Sequence, residues 1–245
     1  MYTLNPRRRD DLVRLFEREF VESQEAVGIQ LLGQFYDLDD PDRLVWLRGF
    51  HDMPARAESL AAFYDGPIWR AHREAANATM IDSDNVLLLR LPPGACGFSF
   101  NGAHRPPLGS RARQDGFVAV TIYYFGAPVD SEFIDYFENT ISPVLAETGG
   151  TLLAYFVTED SPNTFPRLPV REGENVFVWF AGFPDQKAYK HHLTKLRETE
   201  FWKAEVETFL KNYIQGKPEV LRLTPTPRSW LTGKVLNDCW ALVSR

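Results

Sequence analysis

The chain has 245 residues, 44% of them hydrophobic and 24% charged, the ordinary balance of a globular protein with a real core. A net charge of −6 excludes binding to nucleic acid through a basic surface, because phosphate contacts need cationic side chains to displace counterions. The longest apolar run, Val176–Phe183, is far short of the ~20 residues that cross a bilayer.

Met1 leads straight into Tyr2–Leu4, a short strand, and then into charge, so no secretory leader is expected and the chain is predicted to be cytoplasmic. Helical spacing follows over Asp10–Ala26, then strands over Gln30–Asp37 and Arg43–Phe50. A long helix is predicted over Met53–Ala78, broken at Gly66-Pro67, and a fourth strand over Asn85–Leu91. Residues 92–116 are rich in proline and glycine and read as a linker.

Beyond the linker, Phe117–Phe125 is aromatic and β-branched, which predicts a strand. Asp130 and Ser131 cap a helix that runs to about Thr148, where Gly149-Gly150 stops it. Strands follow over Thr151–Thr158 and Asn175–Phe183, then a single helix from Asp185 to about Gln215 and a last strand over Glu219–Leu223. Residues 225–245 form a tail rich in tryptophan and proline. The two cysteines, Cys96 and Cys239, stand in unrelated contexts and are expected to be free thiols.

The order βαββαβ therefore occurs twice, and so do individual residues. Trp46, Gly49, Phe50 and Asp52 recur 133 residues on as Trp179, Gly182, Phe183 and Asp185. Upstream the spacing is 121: Phe16-Glu17 meets Phe137-Glu138, Gly28 meets Gly149, and Leu31-Leu32 meets Leu152-Leu153. One change of spacing means one insertion, which falls in the turn-rich stretch Glu159–Gly173. Each unit predicts a four-stranded antiparallel sheet with both helices on one face. Strands such as Val176–Phe183 are apolar at nearly every position, so both faces must be covered. The expected fold is α+β: two ferredoxin-like modules, 1–91 and 117–224, packed sheet to sheet as an intrachain dimeric α+β barrel.

The run Phe63–Arg90, with Tyr2–Pro6 and Trp46–Phe50, resembles the NIPSNAP family of dimeric α+β-barrel proteins. The resemblance covers about residues 2–91 and is weak in the second copy. Members of that family usually carry more first-strand residues before the Tyr-Thr-Leu. The resemblance implies the fold and assigns no reaction, because most such proteins have none assigned. Structurally related superfamilies include cofactor-free monooxygenases, lactone isomerases, and haem enzymes such as chlorite dismutases and aldoxime dehydratases.

Comparing the copies locates candidate residues. Where the second copy has Tyr189, Val206 and Phe209, the first has Arg56, Arg73 and Ala76, and Arg48 stands where Ala181 would be. One reading has the helix rotate after Gly66-Pro67, turning Ala71, Ala75 and Ala78 inward and leaving His72 and Arg73 solvated or paired with Glu74 or Asp82. The other places a cavity between sheet and helices of the first copy, lined by Trp46, Arg48, Tyr64, Trp69, Arg73 and Asn77, with His72 as general acid or base. Its arginines would favour a carboxylate or another oxyanion. His51 is expected to be exposed, His104 lies in the linker, and the neighbours His191 and His192 diverge on their helix and make no metal pair.

Three functions follow. The chain is a small-molecule-binding barrel, extending to a cofactor-independent enzyme of monooxygenase or isomerase type acting on an oxygenated or carboxylated metabolite. Alternatively it binds haem through His72, or it is an assembly protein that pairs as a homodimer or uses the tail segments Thr224–Trp230 and Leu236–Val243 to bind a partner. No cofactor is required by the first reading, and no phosphate loop, nucleophile elbow or zinc pattern occurs.

Overall fold

The structure is a computed structural model and describes residues 1–95, 97–98 and 105–233. Cys96, Cys239, His104 and the tail segment Leu236–Val243 lie outside the described residues. Strand β1 (Tyr2–Leu4) is followed by α1 (Arg9–Leu15), which runs through a π turn at Phe16–Phe20 into α2 (Val21–Glu25). Then come β2 (Gln30–Asp37), β3 (Arg43–Gly49), α3 (Met53–Tyr64), α4 (Pro67–Asn77), β4 (Met80–Asp82) and β5 (Leu89–Arg90). The second half has β6 (Phe117–Phe125), α5 (Ser131–Tyr136) continued by a π turn into α6 (Ser142–Glu147), β7 (Thr151–Thr158) and β8 (Asn175–Phe183). It ends with α7 (Gln186–Glu198), a π turn at Trp202–Val206 leading into α8 (Glu207–Tyr213), and β9 (Glu219–Pro225).

Two elements differ from expectation. The predicted strand Asn85–Leu91 is not the partner of β1; Met80–Asp82 is, and only Leu89–Arg90 of the predicted run is paired, with β7 of the other half. The predicted single helix after Asp185 breaks at Thr199, whose ψ of 110° is extended. No glycine or proline marks that break, yet it lies 133 residues beyond Gly66, where the first half breaks.

All strand pairs are antiparallel, in the order β4-β1-β3-β2-β9-β6-β8-β7-β5. Strands β4 and β5 stand at opposite ends of this order, but only residues 83–88 separate them in the chain. The segment therefore bridges the two ends of the sheet and closes it into a barrel, although β4 and β5 are not themselves paired. The expected α+β barrel is formed, and β2 pairs with β9, so the sheets of the two halves are continuous on that side. Along β8, Val176, Val178 and Phe180 point into the barrel while Phe177, Trp179 and Phe183 pack under the helices. This is why every position is apolar. Each half has its own core between sheet and helices, and a third core fills the barrel.

Local irregularities of the two halves recur at spacings of 121 and 133 residues. The π turns occupy Phe16–Phe20 and Phe137–Ile141, and register shifts occur at Leu31/Gly33 and Leu152/Ala154. Gly28 and Gly149 take φ of 90° and 103°, a conformation side chains resist. The carboxylates of Asp52 and Asp185 accept from the backbone N–H groups of Ala55 and Ala188 to cap α3 and α7.

Past β9 the chain turns back into the barrel. Thr226, Arg228, Ser229, Trp230 and Leu231 are all buried, and the last two join the barrel core. The Leu231 N–H donates to the Leu32 carbonyl at 2.8 Å. The stretch Thr224–Trp230, expected as a partner-binding tail in the assembly reading, is committed to the molecule's own core.

His192 is 3% exposed in the second half. Its Nδ1 lies 2.9 Å from Thr148 Oγ1, whose own proton goes to the Val144 carbonyl, so the imidazole is the donor. Burial holds its pKa below the ordinary histidine value. The unfolded chain therefore takes up the proton first, at about pH 6.5. The stabilisation is complete above that pH and is lost as pH falls through the depressed native value. Wild-type Tm, measured by calorimetry from pH 7.5 to 5, is expected to fall more steeply than that of His192→Gln.

Candidate functional site

A cavity of about 570 Å³ opens in the barrel, lined by residues of β3, the segment 83–91 and the inner faces of β6 and β8. Its inner wall is apolar, with Leu32, Val45, Leu47, Val120, Ile122, Val178 and Phe180 on it. Its wall also includes Tyr2, Trp46, Arg48 and Arg56, which belong to the helix side of the sheet. Side chains of β3 alternate between the two faces, so a cavity touching Val45, Trp46, Leu47 and Arg48 must pass through the plane of the sheet. It does so because β1 is short: its register with β3 ends at Tyr2↔Leu44.

Arg48 stacks over the Trp46 ring at 4.3 Å, and its Nη1 is buried without a hydrogen-bond partner. Arg56 is 4% exposed and donates to Asn163 Oδ1 at 3.0 Å and Thr164 Oγ1 at 3.2 Å, both neutral. Burial, reinforced by the nearby Arg48 charge, pulls the Arg56 pKa down to about 10. Tyr2 is pushed well up, by burial first and then by the adjacent Tyr64 hydroxyl. The acidic groups nearby are engaged elsewhere: Asp52 caps α3 and meets His51, and Glu159 accepts from the Ser161 N–H. Among the described residues no carboxylate is bonded to either of these two guanidinium groups, which share a mostly apolar space.

The insertion between β7 and β8 lies across this region. The Phe165 ring stacks on Tyr64 at 5.9 Å, Thr164 donates to the Met53 carbonyl, and Arg167 makes a two-pronged pair with Asp65 at 2.9 and 3.0 Å. Arg171 reaches Asn85 and Tyr124. An insertion in one half therefore walls the cavity of the other, with Leu168 and Val170 on its surface.

Of the residues expected at the site, Trp46 and Arg48 line the cavity. Tyr64 and Trp69 do not; they pack with Phe20 and Phe63, with ring separations of 4.8–5.8 Å, and fill the space where a cavity between sheet and helices was expected. Arg73 and Asn77 are exposed. The imidazole of His72 sits 3.5 Å from Glu19, off the cavity wall. Nor do Ala71, Ala75 and Ala78 turn inward; all are exposed, and Ala76, 1% exposed, takes the inward place. The helix restarts after Gly66-Pro67, and α4 packs close to the π turn Phe16–Phe20, so alanine suffices where the twin position holds Phe209. His72 is thus not placed to ligate haem in this cavity, and the imidazole of His51, at its mouth, is 90% exposed and bonded to Asp52. Among the described residues no group of three or more His, Cys, Asp or Glu side chains could hold a metal ion, and no helix is long and apolar enough to cross a membrane.

Sequence reasoning left out Arg56, Tyr2 and the insertion. The contrast of Arg56 with Tyr189 was a usable signal, since both are buried and only one carries charge.

Residues 1–93 match the NIPSNAP family model. No curated protein matches the chain. Among solved structures, a protein of Fusobacterium nucleatum described as a "Putative monooxygenase" is similar over 92% of this chain and 89% of its own, at 14% identity and a TM-score of 0.52. An anthrone oxidase-like protein is similar over 96% of this chain and 93% of its own, at 12% identity and a TM-score of 0.50. A NIPSNAP-like domain protein of Burkholderia xenovorans covers 46% of this chain and 94% of its own, at 19% identity and a TM-score of 0.35. At these identities the likeness is one of fold.

Proposed function

We propose that this chain is a small-molecule-binding barrel made of two fused copies of one NIPSNAP-like module, and that its ligand brings a carboxylate or similar oxyanion to Arg48 and Arg56. The single observation behind this is the buried, unpartnered Nη1 of Arg48 beside a buried Arg56 with only neutral partners. Buried guanidinium groups without an anion are costly, and a bound carboxylate would offset that cost with charge-assisted hydrogen bonds. The volume and the mostly apolar wall with a few convergent polar groups are those of small-molecule sites. Duplication is supported by the π turns, register shifts and helix caps that recur at the sequence spacings.

The test is thermal-shift screening with apolar carboxylic acids. An acid that raises the wild-type Tm should lose most of that effect in Arg48→Met and Arg56→Met, by about tenfold or more in affinity for one charged contact. Arg73→Ala, outside the cavity, should retain it. A broad panel that stabilises nothing, or a shift insensitive to both arginines, refutes the reading. Turnover of the bound acid, as a cofactor-independent oxygenation or isomerisation, is a second reading favoured by the fold shared with the monooxygenase- and oxidase-named neighbours. On incubation in air, oxygenation would appear as a product of altered mass and isomerisation as a new chromatographic peak of unchanged mass.

A further inference from the structure

The edge of β3 inside the cavity narrows the ligand class. On one side β3 is paired with β2 from Gly49 back to Leu44. On the other its pairing with β1 stops at Leu44, and among the described residues no strand takes up the edge of Val45–Gly49. Met1, the residue before the first paired position, turns its nitrogen to the Asn85 carbonyl at 2.7 Å instead of continuing along β3. The N–H and C=O groups of that edge therefore face the breach through which the cavity crosses the sheet. Backbone groups beside an apolar space need partners, and a strand-like neighbour supplies a donor and an acceptor together.

Three features thus lie in sequence along one path. Inside the barrel is an apolar chamber of Leu47, Ile122 and Phe180; at the sheet plane is the open backbone edge; on the helix side are Arg48 and Arg56. Resting on the reading above, we propose that the ligand is an amide-linked carboxylate of the N-acyl amino acid type. Its acyl chain lies in the barrel, its carboxylate meets the arginines, and its planar amide crosses at β3 and bonds to that edge. A plain fatty acid would satisfy the two ends and leave the edge unpaired. An ester would offer the edge an acceptor and no donor.

The experiment uses the full chain and four probes: N-decanoylglycine, its ester analogue decanoyloxyacetate, N-decanoylsarcosine, which lacks the amide N–H, and N-decanoylglycinamide, which lacks the carboxylate. Calorimetric titration should show the glycine conjugate binding about tenfold more tightly than the ester and the sarcosine conjugate. The glycinamide should bind weakly to wild type and no worse to Arg48→Met. Backbone amide resonances of Val45–Gly49 should move with N-decanoylglycine and not with decanoate. Equal affinity for glycine, ester and sarcosine conjugates overturns the amide inference while leaving the anion-binding barrel standing. Equal affinity for the glycinamide, or no binding by any probe or by simple carboxylates, removes both.

Discussion

Arg228→Met is expected to lower the unfolding free energy by on the order of 3 kcal/mol, because one buried side chain fastens the returning tail to the first helix. Arg228 is 3% exposed. Its guanidinium donates to the Glu17 carbonyl at 2.5 Å, to the Pro106 carbonyl at 3.0 Å and to both oxygens of Glu22, and its backbone N–H donates to Glu17 Oε1 at 2.8 Å. Glu22 is largely exposed and would regain water in the variant, which limits the loss; the carbonyls of Glu17 and Pro106 would have to find water in a tight space. Burial pushes the Glu17 pKa up, against the pull of the Thr226 hydroxyl and the Arg228 N–H, and its own carboxylate depends on the tail staying in place. Lysine carries the charge without the planar fork, so Arg228→Lys should recover little. Urea unfolding of the three proteins decides it. A loss below about 0.5 kcal/mol, the usual range of a surface substitution, would mean that the tail is held by its other contacts, among them Gln114, Arg105 and the buried Trp230 and Leu231.

Phe137→Ala should cost about 3–5 kcal/mol and, more tellingly, should leave a single unfolding transition. Phe137 is fully buried in the second half, with Tyr155, Phe177 and Trp179 at ring separations of 5.3, 4.6 and 6.0 Å. If the halves were separate folding units, this change would melt one of them early and split the calorimetric peak. The barrel core opposes that, since it draws Leu32, Phe35 and Val45 from one half and Val118, Val178 and Leu223 from the other. Neither half covers its inner face alone. Scanning calorimetry with a second probe by tyrosine fluorescence tests the point, and two peaks would show that the shared core is too weak to couple the halves.

Much of this architecture was legible because its determinants are local. The strands Phe117–Phe125 and Asn175–Phe183 announce burial on both faces, Asp52 and Asp185 announce helix starts, and the change in spacing between matching residues from 121 to 133 locates the loop Glu159–Gly173. Arg48 could be placed on the helix side of β3 from alternation alone. Its cavity could not, because the breach depends on how far β1 runs along β3 and on residues 83–88 spanning from one edge strand to another, which are long-range facts. His72 and Arg73 were misplaced for a different reason. The stripe carried over from the second half holds at Ala76, which faces inward as Phe209 does, but fails at Arg73, which is exposed where Val206 is buried, because α4 restarts after Gly66-Pro67 and packs close to the turn Phe16–Phe20. The insertion Glu159–Gly173 was recognised as a loop, but no periodicity reveals that Phe165 docks on Tyr64 in the other half.

The way the barrel closes bears on how such a molecule can change. A ring built from two identical chains has two identical seams, and every substitution at one is imposed on the other. Here both halves lie in one chain, and the seams differ: β2 meets β9 directly, while the other side is bridged by residues 83–88 between two short strands. One seam can therefore remain shut and carry the mechanical integrity of the ring while the opposite one loosens, gains charge or admits a guest. Symmetry no longer forbids specialisation.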